Sequence, residues 1–352
     1  MFETRESDGE TVISSAGCLI ALLFLPLWLP VVAVMAVFDK VFGGSFKDEV
    51  GGESAATRLS ETAVRRRHNR LLKKLVMPAD LFWNSEIQYT CIEIPKRSGG
   101  NRELSIPSHL LKSVQRRLAK AFEKELGPKV HKTANAYIRG RSILTNVKPH
   151  LGCAVLIKLD IKDFFPSVTR EMVGPHLWRF VFRETKALER TLDLCMTDKG
   201  LPQGAPTSPI LSNLVLRKFD IAAYQFANLM GAKYTRYADD LTFSLTEDDP
   251  IKARKIVSSV RSMLAEQGFE LNEKPNKLKI LRGHQSQQVC GITINSGKPT
   301  ISKKQRRLVR AARHAIENGR PASMSLASVE GWESYIGHVG KLEVHATSEV
   351  EP

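Results

Sequence analysis

The chain has 352 residues, with 52 Lys and Arg against 37 Asp and Glu, a net charge of +15 and 42% hydrophobic residues. That apolar content supplies a core for one large or two ordinary domains, and the basic surplus points to a polyanionic partner, nucleic acid or an acidic membrane surface. Cys18, Cys91, Cys153, Cys195 and Cys290 lie far apart with no Cys-x-x-Cys pair, which argues against a zinc site or a disulfide scaffold and for a reducing compartment.

Residues 1–15 read as an acidic tail. From Ala16 to Phe38, AGCLIALLFLPLWLPVVAVMAVF runs 23 residues without a charge, long enough to cross a bilayer. Thirteen of them are Leu, Ile, Val or Phe. At about −0.3 to −0.6 kcal/mol each, they favour insertion by about 4 to 8 kcal/mol before any proline penalty. The expectation is a transmembrane segment over 16–38. Its basic side, with Lys40, Lys47, Arg58 and Arg65 to Arg67, stays in the cytoplasm. Pro26 and Pro30 leave a re-entrant hairpin open as the other geometry. Residues 39–59 are small and polar and read as a linker. Ser60 to Leu75 carries six Lys or Arg on a helical pattern, either a solvated face or a nucleic-acid contact.

CIEIPKRSGGNRELSIP, Cys91 to Pro107, reads as a hairpin turning at Ser98, Gly99 and Gly100. An amphipathic helix follows from a Ser108 cap. Ala154 to Ile161 is a β-rich run that delivers Asp160 at its C-terminal end, with Asp163 on the next turn. Helices are predicted over Thr169–Phe182, Ser208–Met230 and Pro250–Gly268, and a strand over Gln287–Ile294. Strand and helix alternate unequally, which predicts an α+β fold rather than a wound parallel sheet.

Between two of the strand signals stands YTRYADDLTFS, Tyr234 to Ser244. By itself an Asp-Asp pair between strands reads more readily as a solvated hairpin tip. Asp160 changes the balance, because three carboxylates at sheet ends form the ligand set of a two-metal site for in-line phosphoryl displacement. Lys277 to Ile316 holds ten Lys or Arg and no acid, which makes it the expected nucleic-acid surface, with Arg306, Arg307 and Arg310 as contacts.

LIKLDIKDFFPSV, GLPQGAPTSPILSNLVL and YTRYADDLTFS, in that order, resemble the palm motifs of reverse transcriptases. The likeness covers residues 60 to 345, and HKTANAYIRGRSILTNVKPH is most similar to bacterial retron-type enzymes. It implies a right-hand polymerase with fingers and palm over 60–280 and a basic, thumb-like region over 281–352. The implied activity is RNA-directed DNA synthesis with two Mg²⁺ or Mn²⁺ ions. Asp160, Asp239 and Asp240 would be catalytic, and metal ligands together with the Ile161 carbonyl. Lys96 and Arg102 would grip phosphates. Asp163 and Phe164 would lie along the triphosphate, Phe165 beneath the sugar, and Gln203 and Gly204 against template and base. Asn146 and His150 would be RNA-binding; between them Val147 departs from the usual Ala. A second departure is LNEKPNK, where Pro275 stands in the place of the usual lysine, leaving Lys274 and Lys277 as alternatives for the proton donor to pyrophosphate.

The implied partners are an RNA template and primer, deoxynucleoside triphosphates, a cognate structured non-coding RNA and an effector of unknown identity in anti-phage defence. The implied setting is the bacterial inner membrane with a cytoplasmic catalytic domain. Two other functions share these features. One is a defence enzyme making untemplated or protein-primed DNA; the other is a catalytically silent, membrane-tethered RNA-binding protein.

Overall fold

The computed structural model describes residues 77–95, 100–181 and 184–341. The apolar run at 16–38, the linker, the basic segment at 60–75 and Lys96 lie outside the described residues. Among the described residues no helix is long and apolar enough to cross a membrane.

The described chain opens with α1 (Ala79–Asn84) and a hairpin of β1 (Tyr89–Pro95) and β2 (Asn101–Pro107), paired from Tyr89 opposite Pro107 to Pro95 opposite Asn101. Helix α2 (His109–Leu126) starts where expected, at Ser108, whose hydroxyl accepts from the Leu111 N–H at 3.3 Å. Its buried Leu111, Val114, Leu118, Phe122 and Leu126 recur at three- and four-residue intervals and make one apolar stripe. Then come α3 (Ile143–Val147), β3 (Val155–Asp160), α4 (Phe164–Ser167), α5 (Arg170–Phe180) and α6 (Thr185–Cys195). They are followed by α7 (Ser208–Val215), α8 (Arg217–Leu229), β4 (Ala232–Tyr237), β5 (Asp240–Leu245) and α9 (Pro250–Ala265). The described part ends with β6 (Lys279–Arg282), β7 (Gln288–Val289), β8 (Ile292–Thr293), β9 (Thr300–Ile301), α10 (Lys303–Glu317) and α11 (Leu326–Gly340).

The central sheet is antiparallel throughout, in the order β4-β5-β3-β6. Strand β3 lies inside it and alternates faces with period 2. Val155, Ile157 and Leu159 join the main core with α2 and α5 to α9, whereas Leu156 packs with Val289, Ile292 and Ile301 of the small β7-β8-β9 sheet. Lys158 and Asp160 share the Leu156 face, so the pleat carries Asp160 out on the side away from the helical core. This is an α+β arrangement, as predicted.

Two predicted elements differ. The single helix expected over Ser208–Met230 is two, broken at Leu216 (φ −75°, ψ 2°). No Gly or Pro marks the break, and it is flanked by buried residues, Ile210 to Val215 before it and Phe219, Asp220, Ala222 and Ala223 after it. The strand expected over Gln287–Ile294 is a tight hairpin, β7 and β8, because Cys290 (φ 49°) and Gly291 (φ 81°) form its two-residue turn.

Candidate active site

The register of the sheet builds the site. Asp160 at the end of β3 stands directly opposite Asp240 at the start of β5, and Tyr237 pairs with Asp240 across a two-residue turn of Ala238 and Asp239. Like charges directly opposite in a sheet repel, so this pairing costs stability unless a cation compensates it. The turn holds Ala238 at φ 57°, a left-handed conformation that a Cβ-bearing residue rarely adopts. The Ile161 N–H donates to the Asp239 carbonyl at 3.1 Å, which ties this turn to the end of β3.

A buried ion pair lies under the turn, on a motif that sequence reasoning passed over. Arg236 and Asp220 are both fully buried, joined by Nε to Oδ1 at 2.8 Å and Nη2 to Oδ2 at 2.6 Å. Arg236 Nη1 also donates to the Ala238 carbonyl at 3.0 Å and to Asn213 Oδ1 at 2.9 Å, while the Tyr234 hydroxyl donates to Asp220 at 2.8 Å. One guanidinium thus links α7, α8, β4 and the strained turn. Asp220 lies in the first turn of α8, just after the helix break at Leu216. The available signal was the Arg in YTRYADD, in a strand whose neighbours are buried.

The electrostatics of the carboxylates follow from this burial. Desolvation, then the charges of Asp240 and Asp160, push the Asp239 carboxyl up to about 6. Asp240 is raised as well, chiefly by desolvation, with Lys158 working against it. Asp160 is only 6% exposed, and both its oxygens are engaged, by Lys277 Nζ at 2.6 Å and Asn272 Nδ2 at 2.8 Å. Desolvation lowers the Lys277 ammonium. The Asp160 hydrogen bond and the charges of Asp160, Asp239 and Asp240 outweigh that, so its pKa is raised. Lys277 therefore supplies the positive charge that the three carboxylates require, and it is the alternative to Lys274 that reaches them.

Among the described residues no three His, Cys, Asp or Glu side chains are gathered closely enough to hold a metal ion as they stand. The donor chemistry nonetheless fits a hard divalent cation: three carboxylates at a sheet end, mutually repelling, with a partly exposed ammonium as stand-in.

The remaining expected residues fall into three groups. Asp163 caps α4 at φ 41°, and Phe165 beside it is half-buried. The Phe164 ring belongs to the core, 5.9 Å from Phe269, so only its backbone can face a nucleotide. Gln203 and Gly204 dock on the hairpin: the Gln203 carbonyl accepts from the Ser105 N–H at 2.9 Å, and a Cβ on Gly204 (φ 128°) would stand 2.8 Å from the Ser105 carbonyl oxygen. Arg102 lies exposed on β2; desolvation, then the charge of Asp239, raises the nearby Tyr137 phenol, with Arg102 working against them. Tyr137 itself sits at φ 62° and 47% exposed, a position with no mark in the sequence.

Asn146 and His150 are a different case. Both are fully buried; His150 is bonded to Ser244 Oγ at 2.7 Å and Thr235 Oγ1 at 2.8 Å, and desolvation pushes its imidazole down to about 3. Asn146 accepts from Asn135 and donates to Cys290 Sγ. These side chains brace strands β4 and β5 from beneath and present no surface to RNA. Arg306, Arg307 and Arg310 are exposed on α10.

A model of the reverse transcriptase (RNA-dependent DNA polymerase) family matches residues 94–294. The chain is 34% identical over 280 residues to the retron Mx162 reverse transcriptase of Myxococcus xanthus, covering 70% of this chain and 57% of that one. It is 35% identical over 267 residues to the retron Mx65 reverse transcriptase of the same organism, covering 70% and 60%. To the retron Ec86 reverse transcriptase of Escherichia coli it is 30% identical over 260 residues, covering 73% and 78%. The chain thus spans less than two thirds of the length of the two Myxococcus relatives. With the paired aspartates at the sheet end and these matches across most of the described residues, the chain belongs to the reverse transcriptase family, in its retron-type branch.

Proposed function

We propose that the chain is an RNA-directed DNA polymerase that extends a primer on an RNA template with deoxynucleoside triphosphates. The observation that carries this reading is the cross-strand pairing of Asp160 with Asp240 beside Asp239 in a strained, anchored turn. Asp160, Asp239 and Asp240 would hold two divalent cations, which would supply charge stabilisation to an in-line displacement. The protein's own part is to hold the carboxylates at the mouth of the sheet and to orient the nucleotide. In this reading the β1–β2 hairpin acts as fingers, the central sheet as palm and the C-terminal helices as thumb. Arg102 and Lys96 bind phosphates, and Gln203 and Gly204 position the base against the hairpin. Arg306, Arg307 and Arg310 hold the nucleic-acid backbone. Phe165 fills the space a ribose 2′-hydroxyl would need. Primer extension on an RNA template with dNTP and rNTP mixtures tests this directly. Phe165→Ala is expected to raise ribonucleotide over deoxynucleotide incorporation by about tenfold or more. An unchanged ratio in a variant that still polymerises returns Phe165 to a packing role.

The ammonium of Lys277, bonded to Asp160 at 2.6 Å, is the proton donor to pyrophosphate in this scheme. Lys277→Ala is expected to lower kcat about 100-fold and to flatten the alkaline limb of the pH–rate profile, with Lys274→Ala near wild type. The reverse ranking would transfer the role to Lys274.

The relation to retron enzymes supports a dedicated structured non-coding RNA as template, copied in an anti-phage defence system with an effector. The uncharged run at 16–38 supports an anchor in the bacterial inner membrane, with the polymerase on the cytoplasmic side. Recovery of the whole chain in the soluble fraction without detergent would remove the anchor from this account.

A further inference from the structure

A concavity with a basic rim lies away from the aspartates. A cavity of about 370 Å³ opens beside β4, lined by Lys132, Arg141, Pro149, Tyr224, Asn228 and Lys233 among others, with no acidic side chain in its wall. Lys233 to Thr235 of its wall lie six to four residues before Asp239 on the same strand and turn, so at about 3.3 Å per residue the cavity sits on the order of 13 to 20 Å from the catalytic turn. The sequence around it is as one-sided as the C-terminal stretch. Leu126 to Leu159 contains Lys129, Lys132, Arg139, Arg141, Lys148 and Lys158 and no Asp or Glu.

The cavity is built rather than incidental. Arg141 donates to the carbonyls of His131, Ala134 and Val130 and so fixes the loop that forms one wall. The Asn135 N–H donates to the Arg236 carbonyl and the Arg236 N–H to the Thr133 carbonyl, which zips that loop onto the exposed edge of β4. Asn146 and His150 hold the floor: His150 Nε2 and the Asn146 carbonyl both meet Thr235 Oγ1, at 2.8 and 3.1 Å. Lys132 and Lys233 are exposed at the mouth, and both lower the Tyr224 phenol, after its hydrogen bonds to Lys132 and Asn228. The Tyr224 ring is no stacking platform for a base. Lys132 lies over it at 4.4 Å and the His131 ring stands 5.4 Å from it.

We propose that this cleft is a second RNA site, in which Lys132 and Lys233 bind the phosphate backbone of the RNA on the outer edge of the sheet, independently of base sequence. Cations without acids select a polyanion, and an aromatic already covered by a cation leaves charge and shape, not bases, to be read. The site deepens the polymerase reading by giving its RNA a hold outside the catalytic groove. It also assigns Asn146 and His150 a role, as the buried floor beneath the contacts rather than as contacts.

The test is RNA binding by the whole chain carrying Lys132→Gln and Lys233→Gln, titrated by fluorescence anisotropy with a structured RNA hairpin over a salt series. A control pair, Lys120→Gln with Lys124→Gln on α2, removes the same charge elsewhere. The slope of log K against log salt is expected to shrink by about 1.4 to 1.8, two contacts at 0.7 to 0.9 each, and affinity at 0.1 M salt to fall on the order of tenfold, for the cleft pair only. An unchanged slope, or an equal change in the control pair, overturns the site. Poly-glutamate is titrated in parallel; loss of its binding with the RNA slope intact would assign the cleft to an acidic protein and overturn the proposal. All titrations are repeated with Asp239→Asn present. Binding needs no chemistry, so a failure of the polymerase reading leaves this result readable.

Discussion

Asp239→Asn is expected to lower primer extension on an RNA template by about three orders of magnitude or more at saturating Mg²⁺, because in the proposed mechanism the carboxylates position charge worth several kcal/mol of barrier, and each 1.36 kcal/mol is tenfold. The same substitution is not expected to unfold the protein. Asp239 is held near two other carboxylates in a desolvated turn, and its carboxyl is raised to about 6. A folded pKa above the unfolded value of about 3.9 means that ionising this group opposes folding. The penalty is absent below pH 4, grows as pH rises through 6, and is fully present at pH 7. Asparagine removes the charge, so in metal-free buffer at pH 7 the variant is expected to have an equal or higher Tm than wild type, with the difference vanishing near pH 4. Thermal unfolding with and without chelator reads this alongside activity. Wild-type activity in the variant would sink the catalytic assignment, whereas a lower Tm at pH 7 would show that the turn needs its carboxylate for folding.

Asp220→Ala is expected to destabilise the fold by about 3 to 5 kcal/mol, since it leaves the fully buried Arg236 guanidinium without its counter-charge. The loss extends to function, because Arg236 also donates to the Ala238 carbonyl and so holds the turn that presents Asp239. Paired replacement separates the two effects. Asp220→Leu with Arg236→Met removes both charges at similar volume, and such exchanges are often near neutral for stability. The double variant is expected to recover most of the lost urea midpoint while primer extension stays depressed, as the Ala238 carbonyl has lost its donor. Full recovery of activity would show that backbone sterics alone hold the turn. A double variant as unstable as Asp220→Ala would show that the surrounding Tyr234 and Asn213 hydrogen bonds, not the buried charge, dominate the cost.

Phe165 and Lys277 illustrate how differently the sequence served the two halves of the site. Phe165 was named from the resemblance of its motif, and the structure leaves it half-buried two residues after Asp163. Lys277 was not singled out in that way. LNEKPNK offers two lysines, and only the folded backbone decides which side chain returns to β3; the Lys277 N–H donates to the Lys274 carbonyl at 3.0 Å, closing a turn that sends Nζ to Asp160. Asn146 and His150 show the reverse failure. The resemblance implied RNA contacts for both, yet burial with both His150 ring nitrogens bonded makes them part of the floor under β4 and β5.

By itself the amino-acid sequence determined the alternating strand that ends in Asp160, the hairpin that carries Asp239 and Asp240, the Ser108-capped amphipathic helix and the basic character of the surface. Each of these is encoded in local periodicity or turn chemistry, where neighbours in the chain are neighbours in space. The tertiary structure alone decided the register that sets Asp160 opposite Asp240, the pairing of Asp220, just after the break at Leu216, with Arg236, the choice of Lys277, and the basic cleft walled by residues from Lys132 to Thr235. All four depend on contacts between residues tens of positions apart. Whether such contacts form is governed by burial and charge compensation in the assembled core, which no local pattern records.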